Sequence, residues 1–200
     1  LVFDPASVSV ERISEDARYE GVRVTVRGTL GTARISLRVD IGFSDVVVPP
    51  PSDVDYPSLL GMPSPKICGY SRETVVAEKF EVMVSLGILH SRMKDFYDLW
   101  FLARNFDFDG AILADALAKT FANRESVVSA DPVALTAEFH GALEKQTQWR
   151  AFTGKNRLAD VPHDLAEVTT TIAGFLRPVS AAVAARALEE VWRHPGPWRR

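Results

Sequence analysis

A lysine and a pair of aspartates within residues 73–100 carry the charges that could do chemistry in this chain. Lys79 shares a predicted helix face with apolar residues three, four and seven positions away, namely Val75, Val82 and Leu86. Asp95 and Asp98 are three positions apart, so they project from one side of a second predicted helix. A cation beside carboxylates could position and neutralise phosphate groups.

Position and spacing alone leave two interpretations open for each of these charges. The Lys79 methylene groups could lie across the apolar stripe with the ammonium in water, which position favours, or the ammonium could point into a cleft at phosphates. The aspartates could form ion pairs along their own helix, because Arg92 precedes Asp95 by three positions and Lys94 precedes Asp98 by four. Spacing alone therefore favours an exposed charge cluster.

Asp40 is the third candidate, because metal-dependent phosphoryl transfer needs carboxylates that hold Mg²⁺ against a triphosphate. Such a site would combine a D-x-D pair on one strand with a third acid on the next, and Asp40 could be that third acid. Asp45 cannot complete a pair with Asp40 on the same strand, since five positions is an odd step. Asp53 and Asp55 have the D-x-D spacing, but we expect them to be solvated in a proline-rich connection outside any strand.

Motifs for other chemistry are missing from the sequence. No H-x-x-x-H pair for zinc exists among the dispersed histidines, which are His90, His140, His163 and His194. No G-x-S-x-G elbow and no glycine-rich phosphate loop is present. Trp149 with Arg150, Lys155 and Arg157 forms a basic, aromatic patch that could touch RNA, although core packing by the tryptophan is favoured.

A sheet region is predicted to precede the helices. Three segments place a β-branched or other apolar residue at every second position, which predicts strands over residues 7–13, 22–28 and 33–43. Short turns at residues 19–21 and 28–32 would join them as an antiparallel meander. Asp40 then lies on the polar face of the third strand, beside Arg38. Residues 66–70 could form one more short strand.

Helical patterns fill the rest of the chain. The charged segment predicts helices over about residues 73–86 and 92–104, the first ending near Gly87. Further helices are predicted at residues 111–123, 132–143, 144–152, 162–176 and 179–192. The sequence thus predicts an α+β fold: a partial, mixed or antiparallel sheet region at residues 1–70, a helical region at 71–192 and a flexible tail at 193–200.

Apolar stripes predict which helix faces form the core. In the second helix the stripe consists of Phe96, Leu99, Trp100 and Ala103. In the helix at residues 111–123 it consists of Ile112, Leu113, Leu117 and Phe121. In the helix at residues 162–176 it consists of Leu165, Val168, Ile172 and Phe175.

Composition bounds the class of protein. The chain has 200 residues, 46% of them hydrophobic, which suffices for one substantial core or two small ones. A net charge of −3 excludes a global basic field, so contact with nucleic acid would need a local patch. No apolar run approaches the ~18 residues of a membrane span, and the single cysteine, Cys68, fits a reducing compartment. We therefore predict a soluble, cytoplasmic protein with no membrane partner.

Two stretches together resemble the AbiEii/AbiGii-type nucleotidyltransferase toxins of bacterial abortive-infection and toxin–antitoxin pairs. They are LGTARISLRVDIGFSD at residues 30–45 and YSRETVVAEKFEVMVSLGILHSRMKDFYDLWFLAR at residues 70–104. The A-E-K helix entry followed by K-D-x-Y-D-L is more specific in combination than either piece alone. The resemblance covers residues 1–125 and extends more loosely over the helical remainder.

The resemblance implies a nucleotidyltransferase-like sheet followed by helices, and Mg²⁺-dependent transfer of a nucleotide from a nucleoside triphosphate to tRNA or another acceptor. Asp40 matches the third acidic strand position, a metal ligand or base, Lys79 matches the nucleotide-phosphate lysine, and Asp95 matches the acid of the later helix motif. Three residues beside Asp95 would assist nucleotide binding, namely Lys94, Tyr97 and Asp98. A cognate antitoxin protein is the implied partner.

One departure from the family pattern leaves alternatives open. The family's first motif, a G-G-S/T turn followed by a strand D-x-D, normally precedes the point where this sequence starts, so we expect an N-terminally truncated copy. One strand acid alone offers too few oxygens to hold Mg²⁺ beside a triphosphate. The chain could instead be a catalytically inactive remnant that acts as an interaction protein, binding an antitoxin or forming a homo-oligomer through its sheet edge. A small-molecule nucleotidyltransferase of the antibiotic-modifying kind is a third interpretation.

Overall fold

The chain forms two compact units in a computed structural model, which describes residues 1–13, 21–43, 45–183 and 188–200. We call them the sheet unit, Leu1–Asp45, and the helical unit, Val46–Arg200. The division lies earlier than the boundary predicted near residue 70. Part of the reason is that Val48 is tied to the start of the first helix, where Ser71 Oγ donates to its carbonyl over 2.8 Å. The predicted α+β class, with antiparallel sheets followed by helices, is confirmed.

The sheet unit is a three-stranded antiparallel meander in the order β1-β2-β3, as predicted. Its strands are β1 Val2–Ile13, β2 Gly21–Leu30 and β3 Ala33–Gly42. Leu30 pairs with Ala33, so a two-residue turn joins β2 to β3. Gly31 takes a φ of 59° in that turn, a value that glycine adopts at little cost. The turn predicted at residues 19–21 falls largely on Tyr19 and Glu20, which lie outside the described residues.

One face of this sheet is apolar and open. Most apolar residues of β3 are opposite an apolar residue of β2, for example Leu37 opposite Val26 and Val39 opposite Val24. Leu37 is nevertheless 44% exposed and Val39 47% exposed. Among the described residues of the unit, only two glycines are buried, so the strands pair without forming a core of their own.

The helical unit begins with a short hairpin of β4 Ser52–Asp55 and β5 Lys66–Gly69. The predicted strand at residues 66–70 is thereby confirmed. Asp53 and Asp55 lie on β4, so our placement of them outside any strand was wrong. Prolines 49–51 end just before this strand, which leaves its backbone free to pair with β5. Both side chains are exposed, as expected.

Two helices joined by a short turn position the charged residues. They are α1 Arg72–Leu86 and α2 Met93–Asn105, within two residues of their predicted ends. Ser71 caps α1, its hydroxyl accepting from the Thr74 backbone N–H over 3.1 Å. Gly87 ends α1 with a φ of 49° and starts a 3₁₀ turn, Gly87–Leu89. A connection this short makes α1 and α2 spatial neighbours.

The remaining elements complete the helical unit. In chain order they are β6 Phe108–Asp109, α3 Gly110–Asn123, a 3₁₀ turn Val133–Leu135, α4 Ala137–Gly141, α5 Leu143–Asn156, α6 Leu165–Ala182, β7 Val191–Trp192 and β8 Trp198–Arg199. The three short strands form one antiparallel sheet in the order β6-β7-β8. None of the described helices is both long and apolar enough to cross a membrane.

A single apolar core joins these helices. The predicted α6 stripe is confirmed, since Leu165, Val168, Ile172 and Phe175 are all fully buried. The α2 stripe is confirmed except that Trp100 is only half-buried. In α3 the prediction was wrong for Ile112, which is 40% exposed because the face that packs on α1 and α6 centres on Leu113, Leu117 and Phe121.

The C-terminal part of the chain differs from the prediction. No separate helix is present among the described residues of 179–192: α6 continues past Pro178 to Ala182, because burial of Phe175, Leu176 and Val179 holds its last turns. Val191–Trp192 instead forms β7. Residues 193–200, expected to be a flexible tail, contain β8, and the Trp198 indole N–H donates to the Phe175 carbonyl over 2.9 Å.

Candidate functional site

The first feature of the candidate site is a lysine of α1 held between two aspartates of α2. Lys79 Nζ donates to Asp95 Oδ1 over 2.8 Å and lies 2.7 Å from Asp98 Oδ2. The lysine side chain is 18% exposed, Asp95 2% and Asp98 18%. An ammonium has three N–H donors, and these two contacts occupy two of them. No other described residue accepts a hydrogen bond from this ammonium, so its third N–H is open to another acceptor.

Lys79 stays protonated, because its surroundings raise the pKa of its ammonium group. Burial by itself would lower the pKa of this ammonium, but its hydrogen bonds to Asp95 and Asp98 outweigh burial and raise the pKa above its usual range. Lys79 is therefore a permanent cation at any physiological pH. Because it is mostly shielded from water, its field on a neighbouring anion is stronger than that of an exposed lysine.

The second oxygen of Asp95 faces two other side chains. Arg92 Nε lies 3.0 Å from Oδ2, though without hydrogen-bonding geometry. His90 Nε2 lies 3.7 Å from the same oxygen, and the imidazole is completely buried. Burial lowers the pKa of His90 to about 4, so the ring is neutral. Asp95 is thus approached by a lysine on one oxygen and by an arginine and a neutral histidine on the other.

Both ion pairs expected from spacing are present, but they belong to a larger group. Lys94 Nζ donates to Asp98, and Arg92 lies beside Asp95. An exposed charge cluster is nevertheless the wrong description for Asp95, which is buried because α1 covers it. Snorkelling is also wrong for Lys79, since its ammonium contacts carboxylates.

The face of α1 that carries Lys79 is not the core face. The three apolar residues predicted to share the stripe with Lys79, namely Val75, Val82 and Leu86, are only half-buried. The fully buried apolar face consists of Val76, Ala77, Phe80 and Met83. Lys79 therefore lies at the edge of the core, where it reaches α2 and still retains some exposure.

We call the five residues Lys79, Arg92, Lys94, Asp95 and Asp98 the charged cluster. Three cations and two carboxylates leave it with one net positive charge. Lys94 and Arg92 are mostly exposed, at 70% and 54% of their side-chain surface. An anion that approached the cluster would meet a mostly buried ammonium flanked by two exposed cations, which is suited to a phosphate group.

Tyr97 and Asp40 have different surroundings. Tyr97 packs among aromatic rings, 5.9 Å from Phe101 and 6.1 Å from Phe152 between ring centroids. Asp40 belongs to the sheet unit, where its two oxygens accept from Arg23 on β2 over 2.7 and 2.8 Å. The Arg23 guanidinium lowers the pKa of the Asp40 carboxyl, which is therefore ionised.

A family model fits most of this chain. The model of the nucleotidyl transferase AbiEii toxins of type IV toxin–antitoxin systems matches residues 2–171. The chain belongs to the AbiEii family. This confirms the resemblance drawn from residues 30–45 and 70–104, and it favours the toxin interpretation over an inactive remnant. No curated protein and no solved structure is significantly similar to the chain.

AbiEii membership suggests that a divalent metal ion takes part in the reaction. The question is then whether the described residues could hold such an ion. Across the described part of the chain, no group of three or more histidines, cysteines, aspartates or glutamates could hold a metal ion. Asp40, the expected ligand, directs both oxygens at Arg23. The described residues therefore do not provide a magnesium site by themselves, and no chemical step is assigned to a metal.

Sequence reasoning missed two residues behind the charged cluster of this AbiEii chain. His90, one of the four dispersed histidines, is buried against the Phe96 ring, with the two ring centroids 5.1 Å apart. Lys145 of α5 is also buried, and its Nζ donates to the His90 carbonyl over 3.0 Å. No local signal could have found this contact, because the two residues are 55 positions apart.

Proposed function

We propose that this chain transfers a nucleotide from a nucleoside triphosphate to an acceptor, with Lys79 as the residue that holds the triphosphate. The observation that supports the proposal most is the ammonium fixed between Asp95 and Asp98 with one N–H to spare. A cation oriented in advance stabilises phosphate charge without reorganisation during the reaction.

In the proposed reaction, the acceptor hydroxyl oxygen bonds to the α-phosphorus while the bond from that phosphorus to its bridging oxygen breaks. Pyrophosphate leaves, and the hydroxyl proton passes to solvent. Negative charge grows on the leaving phosphates, and Lys79 would stabilise it there. Catalysis of this kind consists mainly of positioning and charge neutralisation.

Each other residue of the proposed site has a distinct role. Asp95 is a positioning residue that directs Lys79, and Asp98 shares this task. Lys94 would move from Asp98 to a phosphate oxygen when nucleotide binds, which its exposure permits. Tyr97, which packs beside Phe101, would contribute an aromatic contact to a bound nucleotide. Asp40 lies in the sheet unit, and its predicted role as an acid would require its carboxylate first to leave Arg23.

Family membership also suggests an acceptor and a partner protein for this chain. We propose tRNA as the acceptor, an antitoxin protein as the regulatory partner, a cytoplasmic location and self-association as a further property. The antitoxin proposal rests on the family's type IV toxin–antitoxin description. The proposal of self-association rests on the apolar face of the sheet unit, where Val39 is 47% exposed.

The decisive experiment replaces Lys79 by glutamine, which removes the charge but keeps a donor for Asp95. The protein is incubated with tRNA and each radiolabelled nucleoside triphosphate in a buffer that contains magnesium. We expect label on the tRNA with at least one nucleotide, and a loss of roughly 100-fold or more for Lys79→Gln.

The matched control is Lys119→Gln. Lys119 also pairs with an aspartate, Asp115 at 2.7 Å, but on the surface of α3 with half of its side chain exposed. Transfer by this variant should equal that of the wild type. Absence of label with every nucleotide, together with unchanged nucleotide affinity in Lys79→Gln, would rule the proposal out.

A further inference from the structure

A second candidate site lies farther along α2, in a surface cavity of about 570 Å³. The last two turns of α2 line one side of it, and residues 157–161, which follow α5, line the other. The residues that matter are Tyr97, Trp100, Phe101, Arg104, Arg157 and Asp160, and we call this site the aromatic cavity. Its volume lies within the range of about 300–1,000 Å³ that is usual for ligand sites.

Trp100 differs from the other three tryptophans of the chain. Each of those donates its indole N–H to a backbone carbonyl: Trp149 to Pro162, Trp192 to Ala103 and Trp198 to Phe175. The indole N–H of Trp100 has no acceptor among the described residues, and neither does the Tyr97 hydroxyl. A buried tryptophan usually finds a protein partner for its N–H, whereas Trp100 is only half-buried. Both polar groups are therefore available to a ligand.

The aromatic rings of the cavity form a continuous surface. The ring centroids of Tyr97 and Trp100 are 6.3 Å apart, and those of Tyr97 and Phe101 are 5.9 Å apart. Phe101 is 39% exposed although it is a large apolar side chain. Exposed aromatic faces next to polar groups are the usual platforms on which nucleobases stack.

Two arginines add charge to the aromatic surface. Arg104 and Arg157 both line the cavity, and neither forms an ion pair with any described carboxylate, Asp160 included. The three charged residues leave one net positive charge. Arg157 takes a left-handed φ of 52°, so the chain reverses at that point and residues 157–161 turn toward α2. Planar guanidinium groups can contact phosphate or stack on bases.

We propose that the aromatic cavity binds an unpaired nucleotide of a single-stranded nucleic acid, with the base on Trp100 and Tyr97 and an adjoining phosphate on the arginines. Asp160 would accept a hydrogen bond from a base amino group or a sugar hydroxyl. The inference rests on the proposed function, since the strand held here is the acceptor. The charged cluster already offers cations for the triphosphate, so the cavity serves the second substrate.

The position along α2 supports this division of roles. Phe101 follows Asp98 by three residues, a rise of about 4.5 Å along the helix. The cavity and the charged cluster therefore lie less than one helical turn apart along the axis of α2, although on different sides of that helix. The two substrates of a nucleotide transfer must meet, so a strand held in the cavity would have to extend around α2 to reach the cluster.

The test is direct binding of a fluorescently labelled, single-stranded oligoribonucleotide of ~10 nucleotides, measured by anisotropy without any triphosphate. Trp100→Leu should raise the dissociation constant roughly 5- to 150-fold, the usual effect of losing one stacked base. Trp100→Phe, which keeps a ring, should bind nearly as well as the wild type. Melting curves of both variants establish that the fold is intact.

The arginines are tested by their salt dependence. Arg157→Gln should weaken binding and reduce the slope of log affinity against log salt by about 0.7, the value for one phosphate contact on a single strand. Arg177→Gln is the matched control, because Arg177 is an exposed arginine of α6 that does not line the cavity. This control should leave affinity and slope close to those of the wild type.

The outcomes separate this inference from the proposed function. Lys79→Gln should abolish transfer but leave oligonucleotide affinity unchanged, since Lys79 does not line the cavity. Equal affinity in Trp100→Leu and the wild type would overturn the inference whatever the transfer assay gives. Competition by free nucleoside triphosphates at the labelled strand would also overturn it, because the cavity would then hold the triphosphate's own base.

Discussion

In the helical unit the large apolar side chains meet in one core, whereas in the sheet unit they stay on an open face. Phe96 of α2 is fully buried and stacks 5.2 Å from Phe139, while Val39 of β3 is 47% exposed. Both residues follow the pattern expected of their element, a helical stripe or an alternating strand. A regular apolar pattern thus accompanies a buried core in the helical unit and an uncovered sheet face in the sheet unit.

The contrast extends to the charged residues. Asp95 is 2% exposed and pairs with a lysine that is 18% exposed, so burial strengthens their interaction. Asp40 is 44% exposed, and its pair with Arg23 is weakened by water and salt. Equally short ion pairs therefore differ in strength according to the unit that holds them.

The largest difference in the free energy of unfolding between the two units should come from truncating a core side chain. Phe96→Ala removes a fully buried ring from the helical unit and should lower the free energy of unfolding by about 3–5 kcal/mol. Urea unfolding followed by tryptophan fluorescence measures this directly, because all four tryptophans lie between residues 100 and 198.

Val39→Ala is the matched truncation in the sheet unit. Since Val39 is half in water already, the change should stay within about 0.5 kcal/mol for the monomer at low protein concentration, followed by far-UV circular dichroism. A cost comparable to that of Phe96→Ala would contradict the comparison, because it would mean that the apolar face is covered in solution.

The next effect concerns pH and the buried His90. Its pKa is lowered from the ordinary value of 6.5 to about 4, chiefly by burial, with Arg92, Lys145 and Lys79 acting in the same direction and Asp95 opposing them. The unfolded chain therefore binds a proton between these pH values that the folded chain does not. Stability should fall by about 3 kcal/mol as the pH drops from 6.5 to 4, and the contribution is constant above that window.

Comparison with His90→Gln isolates this contribution, because glutamine does not titrate. The free energy of unfolding of both proteins is measured by urea titration across the window. The variant should show a shallower decline toward low pH than the wild type. Parallel curves would mean that His90 titrates normally and is not shielded from water.

The smallest effect is expected in the sheet unit. Arg23→Gln removes the guanidinium that lowers the pKa of Asp40, so that pKa should rise at least to about its ordinary value of 3.8, because burial, which raises it, has a larger effect than the nearby Arg38, which lowers it. NMR titration of the side-chain carboxyl carbons follows this shift. An unchanged pKa would mean that the hydrogen bonds between Arg23 and Asp40 do not persist in solution.

Much of the local structure was predictable, since strand and helix periods depend on residues that are close in sequence. The alternation at residues 33–43 predicted β3, and Ser71 and Gly87 marked both ends of α1. The exceptions have a common cause. Pro178 and the tail around Trp198 contradict local rules because packing on Phe175 outweighs them.

The sequence by itself determined the identity of the charged residues, the two helices that carry them and the short-range pairs from Arg92 to Asp95 and from Lys94 to Asp98. Only the tertiary structure decided that Lys79 meets Asp95 across 16 positions. Spacing cannot specify such a contact, because it depends on how α1 packs against α2. The same packing buries Asp95, and burial turns an ordinary ion pair into a candidate site.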